Sequence, residues 1–146
     1  SRYEADIRSG TIKPGDQLLV VIDSHGSKRF PPHQTHAISS GRATALDLND
    51  LKGSETVSLD RLTSLSKLAE QTGVKLGIID FSCHAGASLP LANSKTCVIA
   101  ASGPESFAFG GSSPTIFSNR FATNLSPGKT LEDVFLESRA NSTDMG

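Results

Sequence analysis

The sequence holds only two cysteines, Cys83 and Cys97, so no disulfide framework organises the fold. It has no charge excess of either sign. The net charge of −1 gives no broad attraction to nucleic acid or to an anionic membrane, and neither partner is expected. No apolar run approaches the length of a membrane span, and no segment reads as a signal peptide. Internal repeats and low-complexity segments are absent. The chain starts at Ser1 rather than Met, so the expectation is a trimmed piece or one product of a processed precursor. The missing signal therefore leaves the compartment open.

What is present fits one globular domain over residues 1–146, long enough for a real core. The chain is 36% apolar and 20% charged, an ordinary balance for a soluble domain. Tyr3, Ile7 and Ile12 are spaced as the tail of a helix, and Lys13-Pro14-Gly15-Asp16 reads as a turn. Gln17 to Asp23 (QLLVVID) is an apolar run rich in Val, which predicts a parallel strand covered on both faces. From Ser27 to Lys52 a loop is expected, with Ala43 to Leu48 forming a short strand or hairpin arm.

Ser58 to Thr72 is the clearest helix, with Leu59, Leu62, Leu65, Leu68 and Ala69 on one face and Gly73 at its end. Val74 to Phe81 is the second strand, Ala87 to Lys95 a connection, and Thr96 to Ala101 a third strand whose Cys97 belongs to the core. Ser113-Pro114 starts a helix that presents Ile116, Phe117, Phe121 and Leu125 on one face, and Ser126-Pro127-Gly128 stops it. Thr130 to Asp133 has a capping-box pattern. The helix it opens packs Leu131, Val134 and Phe135 inward, with Leu136 marginal, and the ESRANSTDMG tail frays. Strands alternating with helices give an α/β fold with a mostly parallel sheet.

Two of these strands run out into reactive groups: Ser24-His25-Gly26 after the first and Ser82-Cys83-His84 after the second. Open α/β sheets hold ligands beyond the carboxyl ends of their strands. If the two strands are parallel neighbours, His25 and Cys83 face one another across a cleft. A histidine there can take the thiol proton and return it to a leaving amine. The N–H groups of Gly26 and Cys83 could form an oxyanion hole.

The motifs KPGDQLLVVIDSHG and VKLGIIDFSCHAGAS resemble those of the caspase-like cysteine peptidases, which include caspases, metacaspases, legumain, gingipains and clostripain. In that group one strand ends in His-Gly and the next in a catalytic cysteine, about 50 residues apart in caspases. DFSCHAG is most similar to the Asp-x-Cys-His-x-Gly pattern of metacaspases and their bacterial relatives, and the resemblance runs from about residue 10 to residue 138.

The resemblance implies a caspase-like three-layer sandwich lacking its first strand and helix, with the remainder on another segment or chain of an autocatalytically cleaved zymogen. It implies an endopeptidase acting on peptide or protein substrates. Cys83 would be its nucleophile, His25 its acid/base, and Gly26 and Cys83 its oxyanion donors. Metacaspases carry the acid that binds a basic P1 side chain two residues before the cysteine. Here Phe81 stands at that position and Asp80 one residue earlier. Asp23, Asp80 and Ser102 are the candidates for shaping S1, with Glu105 a further acid, and Arg or Lys is the expected P1.

Other readings stand beside this one. Phe81 filling S1 would make the chain a catalytically inactive scaffold or regulatory module. A blocking segment within 27–52 would make it an autoinhibited precursor. His84 adjoins Cys83, and adjacent residues point apart, so it is not read as the base. Ser24 lacks the glycine pattern of a serine elbow. His33 and His36 have no evident third metal ligand. Asp47 and Asp50 are the only calcium candidates and read as surface acids, so no cofactor is expected.

Overall fold

The computed structural model of the chain describes residues 2–23, 26–27, 37–39, 56–106 and 116–140. Its centre is a parallel three-stranded sheet in the order β1-β5-β6, with β1 at Gln17–Ile22, β5 at Lys75–Asp80 and β6 at Thr96–Ala100. Three short strands, β2 (Gly26–Ser27), β3 (Ala37–Ser39) and β4 (Thr56–Ser58), form a separate antiparallel sheet. The predicted loop region thus contains pairing that a three-residue AIS segment could not announce. Ala43 to Leu48, His33, His36, Asp47 and Asp50 lie outside the described residues.

One face of the parallel sheet is covered by helix α1 (Arg2–Arg8), helix α2 (Leu59–Thr72) and a 3-10 helix (Ala85–Leu91). Ile7, Leu62, Leu65, Leu68, Ala69 and Leu91 pack there against Ile22, Leu76 and Ile78. Burying side chains of this size stabilises by roughly 1.5–3 kcal/mol each before entropy is counted. Gly73 ends α2 with a φ of +77°, a left-handed position that costs glycine little. Its carbonyl accepts the Gly15 N–H at 2.9 Å, which joins the helix end to the turn before β1.

The other face is covered by helices α3 (Ile116–Asn124) and α4 (Leu131–Ala140). Phe121 and Val134 pack there against Ile79, Phe81 and Ile99, flanked by Phe117, Leu131 and Phe135. Asn124 Nδ2 donates to Ser138 Oγ at 3.1 Å and ties the two helices together. The capping box forms as expected: Thr130 Oγ1 accepts the Asp133 N–H at 3.1 Å, and Asp133 Oδ2 accepts the Thr130 N–H at 3.1 Å. The α/β architecture with helices on both faces of a parallel sheet is therefore present.

Several expectations need correction. Among the described residues, the core under α3 and α4 takes in Ile79, Phe81 and Ile99 but no residue of β1. Leu19 and Val21 are 48% and 54% exposed. Leu125 and Leu136 are exposed as well. Leu125 is the first residue past α3, and its N–H still donates to the Phe121 carbonyl at 3.1 Å. Residues 137–140 of the predicted frayed tail continue α4. The connection before β6 contains a 3-10 helix, Ala85–Leu91.

Candidate active site

β1 and β5 are parallel neighbours, paired from Gln17–Lys75 to Ile22–Asp80. Their carboxyl ends therefore lie on one edge of the sheet, and β6 ends beside them at Ala100. Cys83 follows Asp80 by three positions, as His25 follows Ile22. His25 itself lies outside the described residues; Gly26 opens β2 opposite Ile38. Asp23 is exposed immediately after β1.

Cys83 is half-buried and forms no disulfide. The residues around it turn sharply. Phe81 still follows the strand, and its ring lies edge-on to Phe117 and Phe121 with centroids 6.0 and 5.8 Å away. His84 then takes the left-handed conformation, φ 61°, before the 3-10 helix begins. That conformation costs a non-glycine residue about 1–2 kcal/mol, so the turn needs external restraint.

Two sets of hydrogen bonds provide it. Below the turn, Asp80 is fully buried. Its Oδ1 accepts the Ser82 N–H at 3.0 Å and the Ser82 hydroxyl at 2.5 Å, and its Oδ2 accepts the Ser88 hydroxyl at 2.6 Å. A buried carboxylate is tolerated only where hydrogen bonds replace its lost hydration. Beside the turn, the loop after β6 acts as a clamp. Ser102 Oγ donates to the Ser82 carbonyl and accepts the Ala85 N–H, each at 3.1 Å. The His84 N–H donates to the Ser106 carbonyl at 2.8 Å, and His84 Nδ1 lies 3.2 Å from the Pro104 carbonyl. A carbonyl only accepts, so that bond requires a proton on Nδ1. Gly86 permits the clamp to close, since a Cβ there would stand 2.5 Å from the Pro104 nitrogen.

The chain matches no family model, no curated protein and no solved structure. The site therefore rests on its own geometry.

Of the residues singled out in the sequence, Asp80, Cys83 and Ser102 come together at the sheet edge, with Asp23 just past the end of the neighbouring strand. Of the S1 candidates, Asp80 has a fully buried carboxylate bonded to Ser82 and Ser88, and the Ser102 hydroxyl is bonded across the Cys83 turn. Glu105 is exposed. Sequence reasoning missed Ser82, Ser88, Gly86 and Pro104. The available signal was the serine spacing around the acid in DFSCHAGAS.

Cys97 is exposed, not part of the core. It pairs with Gly77 near the amino ends of the strands. There it lines a cavity of about 750 Å³ with Leu19, Gly77 and Leu131. Among the described residues no cluster of His, Cys, Asp or Glu could hold a metal ion, and no helix is long and apolar enough to cross a membrane.

Proposed function

We propose that the chain carries the catalytic residues of a caspase-like cysteine endopeptidase. One observation carries this reading. β1 and β5 are adjacent, parallel and in register at Ile22–Asp80, and each is followed three positions later by one member of a histidine–cysteine pair. The thiolate of Cys83 attacks the scissile carbonyl carbon after His25 has taken its proton. The oxyanion is held by the N–H groups of Gly26 and Cys83, a contribution of a few kcal/mol (~3) in the transition state. His25 returns the proton to the leaving amine, and water then hydrolyses the thioester to release the acid and restore the thiol.

We assign P1 recognition to a basic side chain, Arg or Lys. Asp23 is the acid that meets it, because Asp23 is exposed at the carboxyl end of β1 while the Asp80 carboxylate is bonded to Ser82 and Ser88. A further segment or second chain of the same precursor pairs with β1. The support is that β1 has β5 as its one partner among the described strands, and that Leu19 and Val21 are exposed.

The alternative is a catalytically inactive scaffold or regulator, favoured by the position of Phe81 if its ring fills S1. The packing of the Phe81 ring against Phe117 and Phe121 of α3 supports the peptidase reading over this one. Peptide-library profiling of the wild type against Cys83→Ala decides between the two. Cleavage after Arg or Lys that vanishes in Cys83→Ala is the expected result. Cleavage that persists in the variant, or an inactive wild type, overturns the proposal.

A further inference from the structure

The peptide bond is planar and trans, so its carbonyl and N–H point in opposite directions. Gripping one end of a peptide unit therefore aims the other. The unit joining Ser82 to Cys83 is gripped at its carbonyl by the Ser102 hydroxyl at 3.1 Å. The unit before it, joining Phe81 to Ser82, is gripped at its N–H by Asp80 Oδ1 at 3.0 Å. Two successive units are thus held just before the cysteine. The Ala85 N–H, bonded to the same Ser102 Oγ, restrains the chain just after it.

Asp80 is the only buried carboxylate among the described residues, and Ser88 anchors it from the first turns of the 3-10 helix. We propose that Asp80 and Ser102 are positioning residues for Cys83, aiming its main-chain N–H and its thiol, rather than contacts for the substrate. This deepens the peptidase reading and rests on it. Neither side chain needs to touch the substrate. Asp80 acts through Ser82, and Ser102 acts through the Ser82 carbonyl and the Ala85 N–H. A misaimed donor or thiol slows the chemical step while leaving substrate binding in place.

The test uses the full chain in a Cys97→Ser background, which leaves Cys83 as its single thiol. Asp80→Asn, Ser102→Ala, Ser102→Thr and Ser88→Ala are compared with the parent in two measurements. The first is kcat and KM on a fluorogenic peptide with Arg at P1. The second is the pH profile of iodoacetamide alkylation at Cys83. Asp80→Asn and Ser102→Ala are expected to lower kcat by roughly tenfold or more with KM within about twofold. They are also expected to lower the rate of alkylation at Cys83 across the profile. Ser102→Thr keeps the hydroxyl and is expected to retain most of the parent kcat.

A rise in KM with unchanged kcat would make these residues substrate contacts and overturn the proposal. So would parental kcat and an unmoved alkylation profile in both Asp80→Asn and Ser102→Ala. If Asp80→Asn does not fold, Ser88→Ala and the two Ser102 variants carry the same comparison. Activity remaining in Cys83→Ala sinks the peptidase reading itself. An inactive Cys83→Ala beside a fully active Asp80→Asn sinks this inference alone.

Discussion

The carbonyl of Ile22 accepts the N–H of Phe81 at 2.9 Å, the last rung of the ladder between β1 and β5. In the sequence, His25 follows the β1 side of that rung by three positions and Cys83 follows the β5 side by two. If the two residues form one catalytic unit, each of Cys83→Ala and His25→Ala should lower turnover of an Arg-P1 peptide by at least about 10³-fold. The double variant should be no slower than the worse single one, because residues acting as a unit are not additive. Steady-state kinetics on the three variants, with circular dichroism confirming the fold, checks both statements.

Two glycines of the sheet region should respond differently to alanine. A Cβ on Gly86 would meet backbone, Pro104 N at 2.5 Å and Gly103 C at 2.9 Å. Gly86→Ala should therefore cost roughly 1–3 kcal/mol and displace the clamp over Cys83. A Cβ on Gly77 would meet the ends of two leucine side chains, Leu19 Cδ1 at 2.9 Å and Leu131 Cδ1 at 3.2 Å. Leu19 is half exposed and can swing aside, so Gly77→Ala should cost less than about 1 kcal/mol. Urea unfolding of both variants gives the comparison.

Cys97 should behave as a surface thiol. It is exposed at the amino end of β6, whereas Cys83 is half-buried at the other end of the sheet. Cys97→Ser should change stability by no more than about 0.5 kcal/mol. A bulky maleimide should label Cys97 in the native protein, as peptide mass mapping would show.

The start of α4 supplies a pH dependence. The side-chain and backbone hydrogen bonds from Thr130 hold the Asp133 carboxyl below the ordinary value for an aspartate, opposed by desolvation and helped by the charge of Lys129. A carboxyl depressed in the folded state stabilises above its unfolded pKa and loses that contribution as the pH falls through its folded pKa. Thr130→Val should therefore lower Tm at neutral pH, and the difference from wild type should shrink below about pH 4. Thermal melts of both proteins between pH 3 and 7 measure this.

The elements that carry long apolar periodicity were legible in the sequence. Leu62, Leu65, Leu68 and Ala69 mark the buried face of α2, and they are buried. The runs in β5 and β6 end within one or two residues of their predicted limits. β1 shows where such reading stops. QLLVVI has the composition of a strand covered on both sides, yet coverage depends on how far α3 and α4 reach, which no local pattern records. Cys97 was misread for the same reason.

At the site, the cysteine at a strand end was legible, and so was the pairing of its strand with the one before His25. The hydrogen bonds of Asp80 and Ser102 were not. Nothing in the local sequence records that the Asp80 carboxylate accepts from Ser82 or that the Ser102 hydroxyl donates to the Ser82 carbonyl. The left-handed His84 gave no signal either, because its conformation is imposed by Ser106 and Pro104 from the next loop.

The register of the parallel sheet also predicts an order of assembly. β5 and β6 pair Leu76 with Thr96, and the clamp on the Cys83 turn is complete by Ser106. β1 joins only by closing the much longer stretch that separates Ile22 from Lys75. Closure entropy rises with loop length, and distant pairings form late. The turn around Cys83 is therefore expected to form before β1 docks. A φ-value near one for Val98→Ala in β6, against one near zero for Val20→Ala in β1, is the expected kinetic trace of that order.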